Sequence, residues 1–116
     1  MSKADKRNNL MTTKIYNKLV RDRIPEYLLR IGKKPTWKSI DSRDEIRTLL
    51  CGKLREELAE FEEKPSIEEI ADLFEVILGL VHNAGVTRSA LEQCREAKER
   101  ERGGFLKGVI LETVEE

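Results

Sequence analysis

EELAEFEEKPSIEEIAD, residues 56–72, carries an acidic motif on each side of a short break. The break, residues 63–66, contains a proline followed by a serine, which is typical of a turn between two helices. Each motif lies in an apolar pattern of helical period and places two carboxylates three residues apart, on one face of a helix. The stretch therefore predicts an antiparallel helical hairpin with an acidic pair on each arm. The pairs are Glu57 with Glu60 and Glu69 with Asp72.

The two acidic pairs are predicted to face each other across the hairpin. Glu60 and Glu69 are each about three residues, roughly 4.5 Å of helix rise, from the turn, so they lie at similar heights. Glu57 then faces Asp72 one turn further along. Four carboxylates around one space suit Mg²⁺, with Mn²⁺ as a substitute, because both ions prefer oxygen ligands. The sequence thus predicts a metal site built from Glu57, Glu60, Glu69 and Asp72.

The helical wheel ranks the three glutamates of the first motif. At about 100° per residue, Glu57 lies about 60° from Leu54, at the edge of the apolar stripe, and Glu60 about 60° further. Glu56 points towards the solvent on the same wheel, so it is a weaker ligand candidate than the other two. The stripe predicted to be buried consists of Leu50, Leu54, Leu58 and Phe61.

Capping residues and glycines define the three long predicted helices. The second of them has an apolar arc too wide for one neighbour to cover, which predicts that the short chain assembles into a homodimer or a higher homo-oligomer. The arc comprises Ile67, Ile70, Leu73, Phe74, Val76, Ile77, Leu80 and Val81. The predicted helices run from Ser42 to about Glu63, from Ser66 to about Asn83, and from Thr87 or Ser89 to Gly103.

The ends of the chain are predicted to be extended. Residues 1–12 are polar and aperiodic, which predicts a disordered extension, followed by one helical domain over residues 13–116. A short helix opens at Ile24 and stops at Gly32, after an irregular segment. Residues 105–114 are rich in β-formers and are predicted to pair as a strand with residues 14–20 or 36–40. The predicted fold is mainly α: a helical hairpin that forms a four-helix-type bundle on oligomerisation, with short extended segments at both ends.

Composition narrows the class of protein. The 116 residues carry 22 basic and 22 acidic side chains, so no overall positive charge favours nucleic-acid binding. No apolar run reaches transmembrane length, and no signal-peptide segment follows the basic start. Cys51 and Cys94 have no metal-ligand spacing and are predicted to be reduced thiols. These features predict a cytoplasmic protein that binds neither nucleic acid nor membranes.

The acidic motifs resemble those of the all-α nucleoside triphosphate pyrophosphohydrolases, a superfamily that includes MazG, phosphoribosyl-ATP pyrophosphohydrolase and the dimeric dUTPases. That signature is Glu-Glu-x-x-Glu on one helix and Glu-x-x-Asp on the next, and residues 56–60 and 69–72 match it. The flanking residues 73–77 are similar too. YNKLVRDRIP at residues 16–25 and RGGF at residues 102–105 resemble a small single-domain, MazG-like subgroup.

This resemblance implies a Mg²⁺-dependent enzyme that cleaves a nucleoside triphosphate between its α- and β-phosphates, giving a monophosphate and pyrophosphate. Such an enzyme sanitises or regulates the nucleotide pool. A carboxylate that is not fully committed to metal would accept the proton of the attacking water. The candidate catalytic residues are Glu56 and Glu57, and the candidate substrate-binding residues are Lys18, Arg21, Arg102, Gly104 and Phe105.

Other interpretations remain open at this point. Hydrolysis of phosphoribosyl-ATP shares the same chemistry, and a non-catalytic helical interaction module could keep the acidic face without using it. The acids could also form a solvated helix face, with Glu69 serving only as the capping-box partner of Ser66. A di-iron bundle is disfavoured because the sequence has no Glu-x-x-His motif. No residue pattern identifies the base of the nucleotide.

Overall fold

The computed structural model describes residues 12–116, and its regular secondary structure is entirely helical. The described chain comprises two compact units, a first unit that ends at Ser39 and a second unit over residues 40–116. The mainly helical fold predicted from the sequence is confirmed, whereas the predicted disordered extension lies outside the described residues apart from Thr12. The described helices are α1 (Ile24–Arg30), α2 (Arg43–Glu63), α3 (Ile67–Asn83) and α4 (Arg88–Arg102).

The first unit contains α1 between two irregular segments. Pro25 occupies the first turn of α1, where its fixed φ suits a helix and its missing N–H is not needed. Arg23 and Glu26 form an exposed ion pair of 2.8 Å across that turn. The helix ends before Gly32, whose φ of 85° is a conformation that favours glycine. The predicted start and stop of this helix are therefore confirmed.

Side-chain caps fix the starts of the three helices in the second unit. Ser42 Oγ accepts a hydrogen bond of 3.2 Å from the Glu45 N–H at the start of α2. Ser66 caps α3 in the same way, and Thr87 caps α4. Each such cap stabilises its helix by about 1 kcal/mol. The Ser66 cap also sets the first turn of α3, which carries Glu69.

The hairpin of α2 and α3 is joined by the turn at residues 64–66 and closed at its open end by a pair of hydrogen bonds. There, Arg43 Nε donates to the Asn83 carbonyl at 2.8 Å, and Asn83 Nδ2 donates to the Arg43 carbonyl at 3.0 Å. Between the two ends, Leu50 and Val76 are the buried apolar residues of the described chain. Gly79 permits close approach, because a Cβ at this position would lie 3.0 Å from Leu50 Cδ2.

The buried stripe of α2 differs from the predicted stripe. Leu58 was expected to be buried but is 47% exposed, whereas Glu57 is only 7% exposed. Within the second unit α2 packs on α3, and the face turned towards α3 is centred near Leu50. Glu57 lies about 20° from Leu50 on the helical wheel, while Leu58 lies about 80° away. Glu57 therefore lies inside the interface rather than at its edge.

The wide apolar arc of α3 forms two separate faces. One face, with Val76 at its centre, packs on α2. On the opposite side, four apolar residues form a row that is 37–77% exposed in this chain. The start of α4 partly covers this row, because the Arg88 guanidinium lies 5.2 Å from the centre of the Phe74 ring. We call the four residues the apolar row: Ile67, Ile70, Phe74 and Ile77.

The predicted strand at residues 105–114 is wrong, since residues 12–116 contain no strand. Residues 14–20 and 36–40, its predicted partners, are likewise not in strand conformation. Residues with high β-propensity form a strand only where they pair with another strand and pack against neighbouring side chains. Residues 12–116 offer this tail no strand to pair with. Its large apolar side chains, from Phe105 to Val114, are at least 65% exposed.

None of the helices in the described chain is by itself both long and apolar enough to span a membrane. Taken together, α3 and α4 reach the required length and composition only as a pair bent by 111°. Cys51 in α2 is half-buried and Cys94 in α4 is exposed, and both are free thiols.

Candidate metal centre

Three carboxylates meet where α2 faces the start of α3. Glu57, Glu69 and Asp72 each offer one carboxylate oxygen, and these three oxygens lie within 4.8 Å of one another. Oxygens that coordinate Mg²⁺ at about 2.1 Å in an octahedron lie about 3 to 4 Å apart. A modest contraction of this group, which we call the acidic cluster, would therefore place all three oxygens around one ion.

Two oxygens of the acidic cluster lack a hydrogen-bond donor. Glu57 is the one buried charged residue among residues 12–116, with 7% of its surface exposed. Its Oε2 and the Oε2 of Glu69 are buried and have no hydrogen-bond partner in the described part of the chain. A buried polar atom left in this state costs about 1–3 kcal/mol, and more if it is charged. The cluster therefore requires a cation or a proton to compensate it.

The cluster raises the pKa of Glu57 and of Glu69. For Glu57, burial desolvates the carboxylate and raises its pKa most, and the nearby Glu60 carboxylate further favours the protonated form. Lys53 opposes this rise in the pKa of Glu57 by attraction. For Glu69, burial again raises the pKa most, followed by repulsion from Glu60 and Asp72. Glu60 is thus close enough to act on both glutamates, although its own side chain is exposed.

The structure brings the four predicted metal ligands into one neighbourhood. Glu57, Glu69 and Asp72 form the cluster itself, and Glu60 interacts with two of its members. An oxygen-only donor set with buried, unpartnered carboxylate oxygens fits a hard divalent cation such as Mg²⁺ or Mn²⁺. It does not fit a site for soft metals, which prefer sulfur and imidazole ligands.

Ser66 caps α3 through its hydroxyl group. This cap tests the alternative that Glu69 serves only as the capping-box partner of Ser66. The Glu69 N–H donates to Ser66 Oγ at 3.2 Å. The Oε2 of Glu69 remains without a partner in the described chain, so capping does not account for the position of this carboxylate. A solvated helix face does not account for it either, because Glu69 is half-buried.

Lys53 is a member of this site that was not predicted from the sequence. Its Nζ lies 3.3 Å from Glu56 Oε1 and 3.5 Å from Glu57 Oε1. Its side chain is only 18% exposed. The available signal was the spacing, since Lys53 precedes the two glutamates by three and four residues, which places them on neighbouring turns of one helix. Glu56, expected to point to the solvent, is instead part-buried against this lysine.

The predicted substrate-binding residues are not members of the acidic cluster. Lys18 and Arg21 are exposed and belong to the first unit. Arg102 is the last residue of α4, with its Nε 3.6 Å from Glu101 Oε1. Gly104 and Phe105 follow it in the tail, and the Phe105 side chain is fully exposed. Their roles in substrate binding remain predictions.

The chain has no match among protein-family models, curated proteins or solved structures. The resemblance to the pyrophosphohydrolases therefore rests on the sequence motifs, and the chemistry of the site rests on the geometry of its carboxylates.

The raised pKa of Glu57 predicts a pH-dependent stability in the metal-free protein. Because the pKa is raised from 4.5 on folding, the stability it contributes is complete below about pH 4.5 and is lost as the pH rises through the folded-state pKa. Glu57→Gln should abolish this loss. The measurement is the thermal midpoint in EDTA between pH 4.5 and 8, which should fall less steeply for Glu57→Gln than for the wild type.

Glu62→Gln is the matched control, because Glu62 is exposed on the same helix. This variant should follow the wild-type curve. Parallel curves for all three proteins would show that burial of Glu57 does not set the pH dependence.

Proposed function

We propose that this protein is a Mg²⁺-dependent nucleoside triphosphate pyrophosphohydrolase. The observation that supports this most strongly is the buried Glu57 carboxylate, which has an unpartnered oxygen and lies within 4.8 Å of Glu69 and Asp72. Such a site is costly to build without a cation, because the carboxylates repel each other in a partly desolvated space. The motif resemblance supplies the reaction class.

In this proposal each acid has a separate role. Glu57, Glu69 and Asp72 hold the ion, with Glu60 completing the ligand set. Mg²⁺ at this position would neutralise phosphate charge and acidify the attacking water. Glu56 is part-buried beside the cluster but is not one of its three members, so it is our proposed acceptor of the water's proton.

The proposed reaction is an in-line displacement at the α-phosphorus. The water oxygen forms a bond to this phosphorus as the bond to the α–β bridging oxygen breaks. The bridging oxygen leaves with pyrophosphate, and the nucleoside monophosphate remains. Lys18, Arg21 and Arg102 are proposed to bind the phosphates, while the flexible backbone at Gly104 and the ring of Phe105 cover the nucleotide.

We also propose that the protein is a homo-oligomer, at least a dimer. The apolar row leaves Ile67 and Ile70 more than half exposed, and Leu58 of α2 is nearly half exposed as well. Exposed rows of large apolar side chains such as the apolar row are typical of an interface between subunits. A second hairpin packed on this row would complete a four-helix bundle.

Separate substitutions of the acids should distinguish metal binding from chemistry. Glu57→Gln should weaken Mg²⁺ binding at least about tenfold, because it removes a buried ligand charge. Glu56→Gln should leave Mg²⁺ binding nearly unchanged and slow the chemical step. Glu69→Gln should lower turnover at least about a hundredfold while the fold remains intact. Calorimetric titration measures the affinity, and single-turnover release of pyrophosphate from a panel of nucleotides measures the chemistry.

Equal loss of Mg²⁺ affinity in Glu56→Gln and Glu57→Gln would show that α2 is rotated from the position described here. If the wild type neither binds Mg²⁺ nor releases pyrophosphate from any nucleotide, the protein is a non-catalytic helical module.

The oligomer proposal predicts a sedimentation coefficient above that of a monomer at micromolar concentration. Ile70→Lys should shift the protein towards the monomer, because it places a charge within the apolar row. His82→Lys, which adds a charge at an exposed position near the end of α3, should leave the assembly unchanged. A well-folded wild-type monomer at micromolar concentration would rule out this assembly.

A further inference from the structure

Lys53 lies in an unusual environment for a lysine. Lysine side chains are mostly exposed, yet that of Lys53 is 18% exposed. Its ammonium group lies within 3.5 Å of carboxylate oxygens from both Glu56 and Glu57. Lys98 on α4 is, by contrast, an exposed lysine. The position of Lys53 therefore needs an explanation beyond solubility.

The negative charges around Lys53 explain its position. The acidic cluster concentrates three carboxylates within 4.8 Å, with Glu60 acting on two of them. Glu57 is buried, so its charge is poorly screened by solvent. Lys53 pairs with Oε1 of Glu57, whereas Oε2 of the same carboxylate has no partner in the described chain. One side of this carboxylate thus faces a protein cation, and the other oxygen remains available to a ligand.

We propose that Lys53 is the resident counter-cation of the acidic cluster and that it sets the affinity of this site for divalent cations. This inference rests on the proposed metal site. In the metal-free protein the ammonium group offsets the repulsion among the carboxylates and so stabilises the hairpin. When a divalent cation binds, the same positive charge lies a few ångströms from it and opposes binding. Lys53 therefore stabilises the empty site and weakens the loaded one.

The two effects have opposite signs, which separates this role from a merely structural one. Loss of a structural lysine would lower the stability of the metal-free protein and, through a disordered site, would also lower metal affinity. Loss of a counter-cation lowers stability but raises metal affinity. Lys53→Met keeps the apolar stem and removes only the charged end, so it isolates the charge.

The experiment titrates Mg²⁺ and Mn²⁺ into the wild type, Lys53→Met, Lys53→Arg and the control Lys98→Met, by calorimetry. The thermal midpoint of each protein is measured in EDTA. Lys53→Met should bind both ions about tenfold more tightly than the wild type and should have a lower metal-free midpoint. Lys53→Arg retains the positive charge and should stay near the wild type in both measurements, as should Lys98→Met. If Lys53→Met does not fold, Lys53→Gln replaces it.

The outcomes distinguish this inference from the proposed function. If the wild type binds the ions and Lys53→Met binds them equally well or more weakly, the counter-cation role is overturned while the metal site stands. An unchanged metal-free midpoint in Lys53→Met also overturns it. If neither protein binds Mg²⁺ or Mn²⁺, the proposed metal site fails, and the inference about Lys53 fails with it.

Discussion

The close approach of α2 to α3 determines what else this structure contains. It depends on Gly79, where any side chain would press on Leu50, and on the hydrogen bonds between Arg43 and Asn83 at the open end. With the helices this close, Glu57 is only 7% exposed. Its carboxylate is then fixed beside Glu69 and Asp72, at an energetic cost that only a proton, a lysine or a metal ion can offset.

The energetic cost of the acidic cluster links the stability of the hairpin to the binding of a cation. A site that is strained by charge repulsion when empty gains stability when a cation binds, by an amount that grows with the free ion concentration. The repulsion among the carboxylates is partly offset in two ways: Lys53 supplies a positive charge, and the raised pKa of Glu57 favours binding of a proton. A divalent cation would supply two positive charges at the unpartnered oxygens and would therefore offset the repulsion most fully.

Local signals in the sequence predict the helices well. Ser42, Ser66 and Thr87 each determine a helix start through a hydrogen bond within three residues, so no distant contact is needed to find them. The acidic pairs are predictable for the same reason, because a spacing of three residues and a short turn set their positions. The helix starts and the proximity of Glu57, Glu69 and Asp72 therefore follow from local signals in the sequence.

The errors arise where the outcome depends on packing partners. Leu58 follows Leu50 and Leu54 at intervals of four residues and is therefore expected in the core. The position of α3 decides which face of α2 is buried, and this face does not include Leu58. Residues 105–114 are expected to form a strand from their β-formers, although a strand depends on pairing with another strand, and residues 12–116 contain none. Lys53 is not predicted as part of the site because a lysine near glutamates on a helix usually forms an exposed ion pair. The burial of Lys53 depends on the tertiary structure.

The most direct test of the proposed metal site is a crystal structure of the wild-type protein with Mn²⁺, using anomalous scattering to locate the ion. A metal ion held by the acidic cluster should give one strong anomalous peak about 2.2 Å from carboxylate oxygens of Glu57, Glu69 and Asp72. A peak elsewhere, or an acidic cluster that remains without an ion at millimolar Mn²⁺, would contradict it.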